Sequence, residues 1–375
     1  MKKCILTLLA LLLLFTLGAI AEEERAVFES GDYAYALLPD GTAEIVNYNN
    51  RDVTELIIPD QIDGYSVTSI GDEAFAYCSL TSVTIPDSIT SIGDGAFCAC
   101  DWLPSITIPD SVTYIGDRVF MYCYNLSSVT IPDSVTSIGD AAFLNCHGLT
   151  SITIPDSVTY IGDRAFHYCD FLTSVTIPDS VTYIGEEAFE ECESLASVTI
   201  PDSVTSIGNN AFTRCFSLTS VTIPDSVTSI GINPFTACSS LCQIAISPDH
   251  PVYTVIDNVL FEKAENKLIC YPMGLENNAY SIPPGVRIIG DYAFAYCTSL
   301  TSVTIPDSVT SIGDYAFAYC TSLASVTIPD SVTSIGDWGV FSGCRNLAFT
   351  VGRDSYAKDY AEQNNINYSY PDALD

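Results

Sequence analysis

Apolar and polar residues alternate in short bursts along most of this chain, and the bursts recur on a fixed step. Residues 149–171 read LTSITIPDSVTYIGDRAFHYCDF. The early part alternates apolar and polar positions, the mark of a strand buried on one face. Pro155 lacks a ladder donor and ends that strand, and Pro155-Asp156-Ser157 supplies turn chemistry. Val158-Thr159-Tyr160-Ile161 suits a second short extended segment. Gly162 answers a need for positive φ or for close backbone approach, and residues 163–166 suit a single helical or 3₁₀ turn leading to Cys169. The same string recurs with its proline at 86, 109, 132, 155, 178, 201 and 224, a step of 23 residues each time. It resumes at Pro283, as Ile-Pro-Pro, and continues at Pro306 and Pro329. Eleven units carry an Ile-Gly pair, from Ile70-Gly71 to Ile335-Gly336.

No unit of 23 residues buries its own apolar stripe, so the units must stack, each column on its equivalent in the next coil. Leucine recurs on the step from Leu80 to Leu347, and phenylalanine from Phe75 to Phe341. The expected fold is a curved repeat solenoid. Parallel sheet lines one face, and short extended segments with 3₁₀ or helical turns form the other. At about 4.8 Å per strand, its eleven coils span about 50–60 Å.

The ends depart from the step. Met1-Lys2-Lys3-Cys4, an apolar run over residues 5–17 and Ala19-Ile20-Ala21 read as a signal peptide over residues 1–21, cleaved before Glu22. The apolar run is too short for a membrane span. Residues 22–58 are expected to form an N-terminal β cap, a hairpin of 33–38 and 43–48 closed by Pro39-Asp40-Gly41-Thr42. Residues 59–349 form the solenoid, with an irregular insertion at about 247–282. There, strands at 252–261 and 267–271 predict a hairpin protruding from a solenoid that otherwise runs on. Residues 350–375 form a C-terminal cap: a short helix capped by Asp354 or Ser355, with Tyr356, Ala357, Tyr360 and Ala361 on one face, and a last strand at 366–370.

The recurring Leu, Val, Ile-Pro, Val, Ile-Gly, Ala-Phe and Cys positions over residues 56–349 resemble the BspA-like leucine-rich repeats of bacterial surface antigens. The chain departs from the commoner leucine-rich repeat by placing Cys169 and its equivalents near the usual asparagine ladder. The resemblance implies a leucine-rich-repeat superhelix and a role in adhesion to other proteins at the cell surface.

The formal charge of −33 repels nucleic acid and anionic lipid, which removes both from the expected partners. Fifteen cysteines include eleven in one column, from Cys78 to Cys344. Stacked equivalents point in parallel and lack a pairing logic, so a ladder of buried thiols is expected. Cys98, Cys242 and Cys270 lie off the column and are the better bridge candidates, Cys242 pairing with Cys238 or with Cys270. Asp133, Asp156, Asp179 and Asp202 stack, as do Asp117, Asp140 and Asp163. Such carboxylates can hold Ca²⁺ weakly, although turn chemistry accounts for the first column without it. Zinc-finger spacing is absent, and three histidines with no nucleophile elbow give no catalytic constellation. No cofactor and no enzymatic activity are expected.

Variation from unit to unit concentrates around the phenylalanine and cysteine columns, where aromatic residues of the kind that anchor interfaces gather. Trp102, Tyr122, Tyr124, His147, His167, Tyr168, Phe171, Phe216 and Trp338 form the candidate partner-binding edge. The strand face is a uniform run of Ser and Thr. The expectation is a secreted or loosely surface-associated protein that binds extracellular or cell-surface proteins. The alternative is a structural spacer or surface-layer rod, with Ca²⁺-stabilised acidic ladders as a variant.

Overall fold

The computed structural model describes residues 25–371; the signal peptide expected at residues 1–21 lies outside them. Most coils contribute a three-residue strand whose outer positions are exposed and whose middle one is buried. Ser151–Thr153 is one such strand. It pairs in parallel and in register with Ser174–Thr176, Ile152 beside Val175. Pro155 closes the turn after it, where the Val158 amide donates to the Pro155 carbonyl at 3.0 Å. A second, two-residue strand follows, and Tyr160–Ile161 pairs with Tyr183–Ile184 in the same register. The solenoid thus carries two parallel ladders, one per extended segment.

The third side of each coil is a series of turns. Between Gly139 and Cys146, i→i−3 bonds of 3₁₀ type (Leu144 to Ala141, Cys146 to Phe143, both 3.1 Å) alternate with amides aimed at the next coil. Ala141, Phe143 and Asn145 donate to the carbonyls of Asp163, Ala165 and His167 at 2.7–2.8 Å. This alternation needs left-handed backbone at two positions per coil: Ala141 and Asn145 have φ of 54° and 61°, Arg164 and Tyr168 58° and 59°. Gly162 serves a different need. A Cβ there would lie 2.6 Å from the Gly139 carbonyl carbon, so close backbone approach, not positive φ, selects glycine.

The columns fill the interior. Phe75 through Phe235 are fully buried, and their rings stack coil on coil at 5.2–5.9 Å. From Cys100 onward each column thiol crosses to the coil before it: Cys169 Sγ donates to the Phe143 carbonyl at 3.3 Å, and Cys146 to Phe120 at 3.2 Å. All fourteen described cysteines are free. The bridges considered for Cys242 do not form: Cys242 is exposed, whereas Cys238 and Cys270 are buried.

At the N-terminus Tyr33–Leu37 and Ala43–Tyr48 pair as the expected hairpin, and Val27–Ser30 adds a strand outside it. Ala43–Tyr48 then pairs in parallel with Tyr65–Ile70, and Tyr48 places its ring 5.5 Å from Phe75. The hairpin therefore closes both a ladder and the aromatic column. At the other end Ser355 caps the helix Tyr356–Gln363, and Asn367–Ser369 pairs with Ala348–Val351. Ala357 and Ala361 are the helix's buried residues. Tyr356, expected on that face, is 45% exposed, because it precedes the inward-facing Ala357 by one position.

The insertion differs from a protruding hairpin. It is a three-stranded meander, Tyr253–Ile256, Val259–Glu262 and Lys267–Cys270, whose last strand pairs in parallel with Ile288–Ile289. Its residues are buried on both sides. Leu260, Ile269 and Cys270 join the N-terminal core cluster, and Val259, Phe261, Leu268 and Tyr271 join the C-terminal one. Apolar residues on alternate faces cannot be left in solvent, so the meander occupies the stack itself.

Candidate partner-binding edge

The edge is made where the outer turns give way to the leucine position. The left-handed backbone at Tyr122 and Tyr168 leaves each side chain 37% exposed. Just beyond the column thiol, Trp102 is 63% and Phe171 60% exposed; Tyr124 and Phe216 are exposed as well. His147 is half-exposed, and His167 lies deeper.

Seven of the nine residues fall in four successive coils and partly assemble. The Tyr122 and Tyr124 rings lie 6.0 Å apart, and Tyr124 stacks on His147 at 5.5 Å. His167 packs on Tyr168 at 4.5 Å. The His147 imidazole is oriented by Asp170, Nδ1 to Oδ2 at 2.8 Å, while the second oxygen of Asp170 is buried without a partner. Burial raises the Tyr124 and Tyr168 phenols, with the Asp101 carboxylate adding at Tyr124 and Glu191 at Tyr168. Both rings thus remain neutral donors at physiological pH. Trp102, Phe171, Phe216 and Trp338 make no ring contact among the described residues, and Trp338 lies beyond the meander in the last coil.

Tyr77, 69% exposed, occupies the same position as Tyr122 and Tyr168 but escaped the sequence reading. A further row was missed: Tyr292 stacks on Tyr315 at 4.9 Å, beside the matching stack of Tyr296 on Tyr319 at 4.9 Å. Their signal was the 23-residue step, applied to the positions two before and two after each column phenylalanine.

The acidic columns divide. Asp133, Asp156, Asp179 and Asp202 are exposed at the turns. In the other column each Oδ1 accepts the amide of its successor, Asp117 from Asp140 at 2.8 Å, Asp140 from Asp163 at 2.9 Å and Asp163 from Glu186 at 2.8 Å. Half the oxygens a cation would seek are therefore engaged by backbone. Burial raises the Asp140 carboxyl, the Asp163 amide opposes that shift, and the neighbouring Asp117 and Asp163 add to it.

Known proteins share this architecture. Six copies of the BspA type leucine rich repeat region match the chain, over residues 46–173, 159–277 and 270–351. Among curated proteins none matches. The crystal structure of a leucine rich cell surface protein from Faecalibacterium prausnitzii is 35% identical with a TM-score of 0.61, covering 91% of this chain and 98% of that one. A leucine-rich repeat protein from Bacteroides ovatus is 27% identical with a TM-score of 0.54, covering 92% and 99%. No helix among the described residues is long and apolar enough to cross a membrane. With the repeat profile matching most of its length and the coil geometry shared, the chain belongs to the BspA-type leucine-rich repeat family of bacterial surface proteins.

Proposed function

We propose that this chain is an exported, non-catalytic binding module that contacts extracellular or cell-surface proteins through the edge from Trp102 to Phe171. The carrying observation is the concentration of exposed rings there: Trp102, Tyr122, Tyr124, Tyr168 and Phe171 stand in solvent over four successive coils, while the three-residue strands of those coils present only Ser and Thr outward. Aromatic side chains supply large contact area at low entropic cost and dominate binding hot spots. Asp101, Asp170 and the glutamates of the next coils surround the rings with acid, which favours a partner carrying basic residues. The cell-surface description of the Faecalibacterium relative supports the location.

The test is saturable binding of residues 22–375 to matrix proteins, mucins and cell-surface extracts. A variant with Trp102, Tyr124, Phe171 and Phe216 changed to Ser is run beside it, its fold checked by circular dichroism. Loss of four anchors should weaken binding at least about 100-fold. Undiminished binding by the folded variant would move the site to the strand face or the meander. Absence of binding to every member would favour a structural rod, a reading that the stacked parallel coils also suit.

A further inference from the structure

The position after each column phenylalanine is buried or half-buried and apolar or small in most coils, as in Cys98, Met121 and Leu144 before and Thr213 and Thr236 after. Two successive coils break this pattern, with His167 and Glu190 one repeat step apart. Ionisable groups in a packed turn cost free energy unless something compensates them. A third, Glu187, reaches the same place from a left-handed position, φ 55°. His167 Nδ1 lies 3.6 Å from a Glu187 oxygen and 3.8 Å from a Glu190 oxygen. Both separations are too long for hydrogen bonds, and Nδ1 is buried without any partner. One ligand atom from each of the three residues falls within 4.8 Å of the others.

We propose that His167, Glu187 and Glu190 form a binding site for a divalent transition metal, of which Zn²⁺ is the best fit. Zinc bonds of about 2.0–2.2 Å set ligand atoms about 3.3 Å apart in a tetrahedron, so the two histidine–carboxylate distances need contract by only about half an ångström, while the carboxylates, within 4.8 Å of each other, close by up to about 1.5 Å through side-chain rotation. An imidazole nitrogen selects Zn²⁺ over Ca²⁺ or Mg²⁺, which prefer oxygen. The three side chains are 12–17% exposed, which leaves a route for the ion and a fourth position for water. Arg164 donates from Nε to the Glu187 oxygen at 2.5 Å and holds that carboxylate in place, as outer-shell partners of metal ligands do. Its positive charge is outweighed by Glu186, Glu187, Glu190 and Glu191, although Arg214 pairs with the last.

The site does not depend on partner binding at the aromatic edge, and its test reads metal alone. Residues 22–375 carrying Cys242→Ser, which removes the exposed thiol, are titrated with Zn²⁺ by calorimetry and with Co²⁺ by visible absorption. One equivalent should bind, with Co²⁺ ligand-field bands and no thiolate charge-transfer band. His167→Ala and Glu190→Gln should each weaken Zn²⁺ binding at least about tenfold, the loss that even outer-shell changes cause, while His147→Ala leaves it unchanged. Equal binding by all variants, a thiolate band, or no saturable binding would overturn the assignment. Circular dichroism of each variant separates ligand loss from misfolding.

Discussion

Cys169 illustrates what a single position contributes to the stack. Its thiol fills a small site in the interior and donates to the Phe143 carbonyl, and burial raises its pKa well above the ordinary thiol value. The thiolate is the reactive form, so a raised value depletes it at every pH below that value. Maleimide labelling of the folded protein near neutral pH should therefore modify exposed Cys242, reach half-buried Cys344 more slowly, and spare Cys146 and Cys169 until denaturant is added. Rapid native labelling of Cys169 would mean that the column opens. The stacked rings carry more weight: Phe166→Ala should cost about 3–5 kcal/mol in urea unfolding, whereas exposed Phe216→Ser should stay within about 0.5 kcal/mol. Ala141 invites a change of opposite sign. A left-handed residue with a Cβ is strained by about 1–2 kcal/mol, and glycine returns part of that as unfolded-chain entropy. Ala141→Gly should thus raise stability by about 0.5–1 kcal/mol on the same measurement. The phenylalanine and cysteine columns were legible because one residue type holds each. The left-handed positions were not, because Arg118, Ala141, Tyr168 and Glu187 occupy them and only a few coils, such as those of Gly95 and Gly343, carry the telltale glycine.

Among elements, the aspartate ladder links coils beside the second strand. Asp140 accepts the Asp163 amide, and Asn209 does the same for Ile232 at 2.8 Å, so the ladder needs an acceptor rather than a charge. Asp140→Ala should then destabilise by about 1–2 kcal/mol. Asp140→Asn, which keeps the acceptor and removes repulsion from Asp117 and Asp163, should be neutral or stabilising. Thermal unfolding at low ionic strength distinguishes the two, and equal losses would mean that the charge itself matters. Strand alternation and the Pro-Asp turns were readable for every regular coil. The meander was not, because its first turn is Asp257-Asn258, both left-handed at 51° and 64°, without the glycine that usually announces such a turn. Residues 252–261 therefore read as one strand instead of two. The metal-ligand triad was hidden for a related reason: His167 was read as part of the aromatic edge, while its partners lay about one repeat step away among ordinary surface-like glutamates.

At the scale of the whole molecule, the meander divides what the repeat unites. The second-strand ladder that passes through Tyr183–Ile184 ends at Ser229–Ile230, and a new sheet begins at Tyr253–Ile256. The core correspondingly falls into two clusters. In repeat proteins stability is close to a sum of unit and nearest-neighbour terms, so a weak interface splits cooperativity. Hydrogen exchange in increasing urea should show two protection transitions, with Phe317→Ala lowering the C-terminal one and leaving the coils before Ser229 unchanged. A shift of both together would show the meander to be as strong a joint as any other. The uniform coils have a genetic consequence as well. Residues 149–171 begin and end at equivalent points of the backbone path, so a recombination event that removes or duplicates that stretch rejoins like with like. Length becomes a heritable dial, turned one strand spacing at a time, about 4.8 Å, without redesign of any interior. A lineage can in this way change the span of the protein while the chemistry of its surface stays the same.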